Sequence, residues 1–104
     1  MKIQVYHAVY PTFRAWAPTA LMRKVDEWEP ITDPLSDNPE VPSNILELVW
    51  TDHNAVSGTE RCCQLRIRSL SVGDVVQLDD RAFACESIGW VEIKPEQMRL
   101  LVSN

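Results

Sequence analysis

Asp74-Val75-Val76-Gln77-Leu78-Asp79-Asp80-Arg81-Ala82-Phe83-Ala84-Cys85 is the stretch that decides the fold. Apolar residues alternate on both sides of an Asp-Asp pair, the period of two expected of half-buried strands. With Asp79-Asp80 as a two-residue loop, Val76 falls opposite Phe83 and Asp74 opposite Cys85. Val76, Leu78, Phe83 and Cys85 then share one face. The loop is chemically unusual, because such hairpins need φ > 0 and favour glycine. Upstream, Ser71-Val72-Gly73-Asp74 reads as the turn that launches the first strand, with Ser71 and Asp74 able to accept backbone donors. Arg68 is placed to pair with Asp74 or Asp79. Downstream, Gly89 permits a bend and Trp90 to Ile93 reads as a third strand. Pro95 suits the first position of a short terminal helix carrying Met98, Leu101 and Val102 inward.

Outward from this core, Lys2 to Tyr10 alternates Ile3, Val5, His7 and Val9 with Gln4, Tyr6 and Ala8, and reads as a strand ended by Pro11. Pro11 to Pro18 reads as an irregular loop whose Phe13 and Trp16 fold back on the core. Two spacings fit Leu21 to Trp28, one helical and one extended; a strand paired with the first is preferred. Glu29 to Pro42 holds four prolines among Asp, Asn and Ser, the composition of a loop. Ser43 is a good helix N-cap, with Glu47 near the start and Ile45, Leu46, Val49 and Trp50 as an apolar stripe. Asn54 and Gly58 offer stops. The expected fold is α+β: one domain over residues 1–104, with a small, mostly antiparallel sheet, one main helix packed on a face and a short C-terminal helix.

Composition narrows the function. The chain has 104 residues, a hydrophobic fraction of 45% and a net charge of −5. That charge disfavours a duplex-DNA binder, which needs a basic stripe to displace counterions. Seven acids and no Lys or Arg lie between Asp26 and Glu47, whereas Arg61 to Arg68 holds three arginines and no acid. Three cysteines, no export-like apolar run and no stretch of membrane-spanning length point to free thiols in a reducing cytoplasm.

Chemistry is sparse. Cys62 and Cys63 are adjacent, so their side chains diverge, and no zinc-ligand spacing joins them to Cys85, His7 or His53. Cys85 with His7 is the one imaginable nucleophile pair, but Cys85 falls on the inward face. No glycine-rich phosphate loop occurs. No enzyme, cofactor or metal site is expected. The candidate contact residues are Asp33, Asp37 and Glu40 in the acidic loop, Trp16 among the four tryptophans, and Arg66 and Arg68 at the basic end.

Arg68-Ser69-Leu70-Ser71-Val72-Gly73-Asp74-Val75-Val76, followed by Arg81-Ala82-Phe83-Ala84-Cys85 and Gly89-Trp90, resembles the Arg-Ser-x-Ser-Val-Gly-Asp-Val segment of small uncharacterised phage and actinobacterial proteins. It is also similar to the C-terminal part of YodL-like domains of mobile elements. The resemblance spans about half the chain, with Asp80 where relatives often carry a turn glycine. It implies a phage or mobile-element accessory protein and names no catalytic residue. The expected function is a non-enzymatic protein-interaction module acting on a host protein. The alternative is a small nucleic-acid-binding module using Arg61, Arg66, Arg68 and Arg81. No membrane partner is expected, and a homodimer follows if a strand edge or tryptophan lies exposed.

Overall fold

The computed structural model of the chain describes residues 1–29, 40–54 and 58–101. They belong to two compact units, one formed by Met1–Pro34 with Ser71–Asn104 and the other by Leu35–Leu70. The class is α+β, with a six-stranded sheet and one main helix among the described residues.

The first unit carries the sheet. Its strands are β1 (Ile3–Ala8), β2 (Leu21–Trp28), β3 (Val75–Leu78), β4 (Arg81–Cys85), β5 (Trp90–Ile93) and β6 (Arg99–Leu100), in the order β5-β4-β3-β1-β2-β6. The hairpin register is the one the sequence predicts: Val76 lies opposite Phe83 and Leu78 opposite Arg81. Cys85 N–H donates to the Asp74 carbonyl at 2.8 Å. Asp79 takes the positive φ, at 53°, in the first loop position. Its N–H donates to the Lys2 carbonyl at 2.9 Å and its carboxylate accepts from Lys2 N–H at 2.8 Å, tying the loop to the start of β1. β2 pairs antiparallel with β1, and Val25 is the extra residue of a bulge opposite Val5 and Tyr6.

Both faces of the central strands are buried. Ile3, Val5, Val76, Leu78, Phe83 and Cys85 lie on one side by register, each at most 7% exposed. Tyr6, Met22, Val75, Ala82, Ala84 and Met98 form the core of the other side. Trp16 and Ala20, from the β1–β2 connection, pack against that second core. Burial of this kind stabilises by roughly 25 cal/mol per Å² of apolar surface.

Two expectations for this unit are corrected. The sheet is mixed rather than mostly antiparallel, because β6 runs parallel to β2, pairing Leu21 with Arg99 and Met22 with Leu100. The C-terminal helix is absent from the described residues. Pro95 does open a helical turn, but it is a 3₁₀ turn of three residues, Pro95–Gln97. After it the backbone turns to the open edge of β2, and Leu101 N–H donates to the Met22 carbonyl at 2.7 Å. An unpaired strand edge offers hydrogen bonds that a short isolated helix lacks. Met98 is buried as predicted, Leu101 is exposed, and Val102 lies outside the described residues.

The second unit carries α1 (Glu40–Asp52) and α2 (Arg61–Leu65). α1 includes Glu40 to Pro42 ahead of the predicted cap, so Ser43 sits inside the helix rather than capping it. Proline is tolerated in a first turn because its missing N–H would have no helical acceptor there. Ile45, Leu46 and Val49 are buried as predicted, while Trp50 is 38% exposed. Asn54 closes the helix, its side-chain amide donating to the Trp50 carbonyl. His53 is fully buried beyond α1, and its carbonyl accepts from Leu70 N–H at 2.8 Å. No helix among the described residues is long and apolar enough to cross a membrane.

Candidate functional site

The site begins where β1 ends. Val9 N–H donates to the Leu21 carbonyl at 2.9 Å, so β1 and β2 stay joined at their ends while residues 10–20 loop out between them. Phe13 takes φ = 58°, a left-handed conformation that is rare for a bulky residue. Such conformations cost of order 1–3 kcal/mol and gather at functional sites. Contrary to expectation, Phe13 does not fold back on the core; it is 66% exposed, and Tyr10 beside it 77%.

Gly73 holds this loop down. It has φ = +93°, and a Cβ placed on it would lie 2.6 Å from the Arg14 carbonyl oxygen. Only glycine gives both the backbone angle and the space. The turn around it is fixed by Asp74, whose side chain is fully buried. One carboxylate oxygen accepts from Ala8 N–H at 2.9 Å and the other from Ser71 N–H at 2.8 Å. Gly73 N–H donates to the Cys85 carbonyl at 2.9 Å. Asp74 accepts a backbone donor within the turn, as the sequence suggests, and it also fastens the end of β1 and β4 to that turn.

Between loop and turn lies a cleft of about 640 Å³, within the range of about 300–1,000 Å³ common to ligand sites. Alanines 8, 15, 17 and 20 and Leu21 give it an apolar floor, Tyr10 and Trp16 an aromatic wall, and Thr12 and Thr19 hydroxyls. Arg14 and Arg99 complete the charged part of the lining. No carboxylate is among the lining residues, and neither arginine side chain has a hydrogen bond or ion pair among the described residues. Elsewhere Arg81 grips Glu92 through two bonds of 2.9 and 2.8 Å, and Lys2 and Lys24 both approach Glu27. The Trp16 indole N–H is shielded from solvent and has no acceptor. A buried donor left unpaired costs about 1–3 kcal/mol. The loop therefore holds a strained Phe13 and an unpaired indole donor.

The predicted contact residues are dispersed. Trp16 is in the cleft wall, partly buried. Asp33 and Asp37 lie outside the described residues. Glu40 is exposed in the first turn of α1. Arg66 ends α2 with φ = 58° and is exposed, its N–H donating to the Cys63 carbonyl at 3.1 Å. Arg68 is partly buried, and its Nη1 donates to the Ser69 carbonyl at 3.1 Å. Sequence reasoning missed Arg14, Arg99 and Tyr10. Arg14 had a signal, an arginine between two aromatics in a proline-bracketed loop. Arg99 has none, because only the pairing of β6 with β2 brings it to the cleft.

Within the sheet, the imidazole and the thiol of the imagined nucleophile pair are kept apart. His7 is on β1 and Cys85 on β4, with β3 between them. Burial, with help from Asp74 and Glu86, pushes the Cys85 thiol up to about 11, far from a reactive thiolate at neutral pH. Burial, then the neighbouring Cys63, also raises Cys62. Among the described residues no three His, Cys, Asp or Glu side chains gather as a metal site. No family model, curated protein or solved structure matches the chain.

Proposed function

We propose that this protein is a non-enzymatic protein-interaction module and that the cleft between the β1–β2 connection and the Gly73 turn is its recognition surface. One observation carries the reading. Two arginines without an acid stand in a cleft walled by tyrosine and tryptophan. Arg, Tyr and Trp dominate binding hot spots because they bury large surfaces and pair in fixed geometries. The lining residues include no carboxylate, imidazole or thiol, which favours the reading of a surface that holds a partner. A cytoplasmic setting is supported by three free cysteines, Cys62, Cys63 and Cys85. A mobile-element accessory role acting on a host protein rests on the Arg68–Val76 resemblance.

The nucleic-acid reading has less behind it. Arg81, one of its four cations, is held by Glu92, and the chain is acidic overall.

Affinity capture from a host lysate tests the proposal, comparing wild type with the double variant R14E/R99E. The partner bound by wild type should be lost on the variant, while the two circular-dichroism spectra agree. Full retention of every partner by a folded R14E/R99E chain overturns the reading.

A further inference from the structure

We infer that the cleft takes an acidic peptide segment, its carboxylate bound by Arg14 and Arg99 and its neighbouring apolar side chain laid against Trp16 and the alanine floor. This rests on the cleft being the recognition surface and adds the chemistry of what is recognised.

Charge comes first. The lining residues carry two positive charges and no negative one on a chain whose net charge is −5. A guanidinium is a rigid planar fork that matches a carboxylate through two parallel hydrogen bonds. In this molecule Arg81 does so with Glu92, at 2.9 and 2.8 Å. Arg14 and Arg99 have the same capability and nothing to meet it.

The floor comes second. Along with the two arginines, the cleft is lined by four alanines, Leu21, Tyr10 and Trp16. A bare inorganic anion would leave that apolar surface wet, whereas an apolar side chain next to an acidic one covers it. A nucleic-acid strand would fit the aromatic wall, but its affinity comes from a run of cations along the backbone. Two arginines on an acidic chain do not make such a run.

The test is a titration of the intact, ¹⁵N-labelled chain, following the Trp16 indole N–H resonance, which a Trp16→Phe variant assigns. Four probes are compared: an acetylated peptide of alternating glutamate and leucine, the same peptide with glutamine for glutamate, inorganic phosphate, and oligothymidylate. The glutamate peptide should shift the resonance, and its affinity should fall as salt rises from about 50 to about 200 mM. R14Q and R99Q should each weaken it by about tenfold. The assignment is overturned by no shift with the glutamate peptide, by equal binding of the glutamine peptide, by an equal shift with phosphate alone, or by tighter binding of oligothymidylate. If R14E/R99E loses its lysate partner yet the glutamate peptide leaves the indole unmoved, the cleft stands and the acidic ligand falls. If neither experiment responds, both fall.

Discussion

The Ser71–Cys85 hairpin and the loop of residues 10–20 touch at Gly73, and they treat polar groups in opposite ways. In the hairpin, Asp74 is buried with both carboxylate oxygens bonded to backbone N–H groups, and the Asp79 carboxylate meets Lys2. In the loop, the Arg14 side chain and the Trp16 indole have no partner among the described residues. Burial with satisfied bonding marks structure. Unpaired capacity beside a cleft is what the proposed recognition surface would use. Two segments that meet at one glycine thus separate the residues that hold the fold from those that can act.

Asp74→Ala strikes hardest at the first side. It leaves Ala8 and Ser71 N–H without their carboxylate acceptor, and should lower the unfolding free energy by on the order of 3 kcal/mol in urea denaturation. Asp74→Asn, which keeps one acceptor oxygen, should lose less. Near-wild-type stability of the alanine variant would show that the hairpin does not depend on this carboxylate.

Gly73→Ala tests the junction. The left-handed backbone and the Arg14 carbonyl at 2.6 Å both oppose a Cβ, so a loss of about 2 kcal/mol is expected in the same assay. The loop must also lift, so the cleft should lose ligand more than stability alone explains.

Glu92→Gln is a smaller probe. Hydrogen bonding to Arg81 holds the Glu92 carboxyl below its ordinary value of 4.5. The depressed folded value means that this contribution is present above 4.5 and disappears as pH falls through the folded value. Both partners are well exposed, so less than about 1 kcal/mol is at stake. The variant should lose stability near neutrality and converge on wild type in acid. A constant gap across that pH range would sink the ion-pair account.

Arg14→Gln and Arg99→Gln should do least, each changing stability by no more than about 0.5 kcal/mol, because neither side chain is bonded within the chain. A larger loss in thermal unfolding would move these arginines to the structural side of the comparison.

Legibility in the sequence followed the same division. The β3–β4 hairpin was readable to the level of residue pairs, since strict alternation and a short loop leave one register that buries Val76, Leu78 and Phe83 together. β2 was readable for its place beside β1, while the bulge at Val25 was hidden because alternation alone does not mark an extra residue. The terminal helix failed for a tertiary reason. Pro95 opens a helical turn, but the unpaired edge of β2 then captures Leu100 and Leu101, and no local propensity reports an edge that lies 78 residues back in sequence, as Leu21 does from Arg99. Ser43 misleads as a cap because Pro42, the end of the proline-rich stretch, also fits a first helical turn. The cleft itself joins residues 8–21, 72–73 and 99, and nothing local says that these meet.

β6 is only two residues long, yet it delivers Arg99 to the cleft and, through Leu101, ends on β2. A carboxypeptidase that trims the chain back to Gln97 would spare the hairpin register while removing one of two cations and the buried Met98. One short segment therefore couples the second core to the proposed recognition surface: a chain cut at Gln97 should lose stability, through Met98, and anion affinity, through Arg99, in a single step.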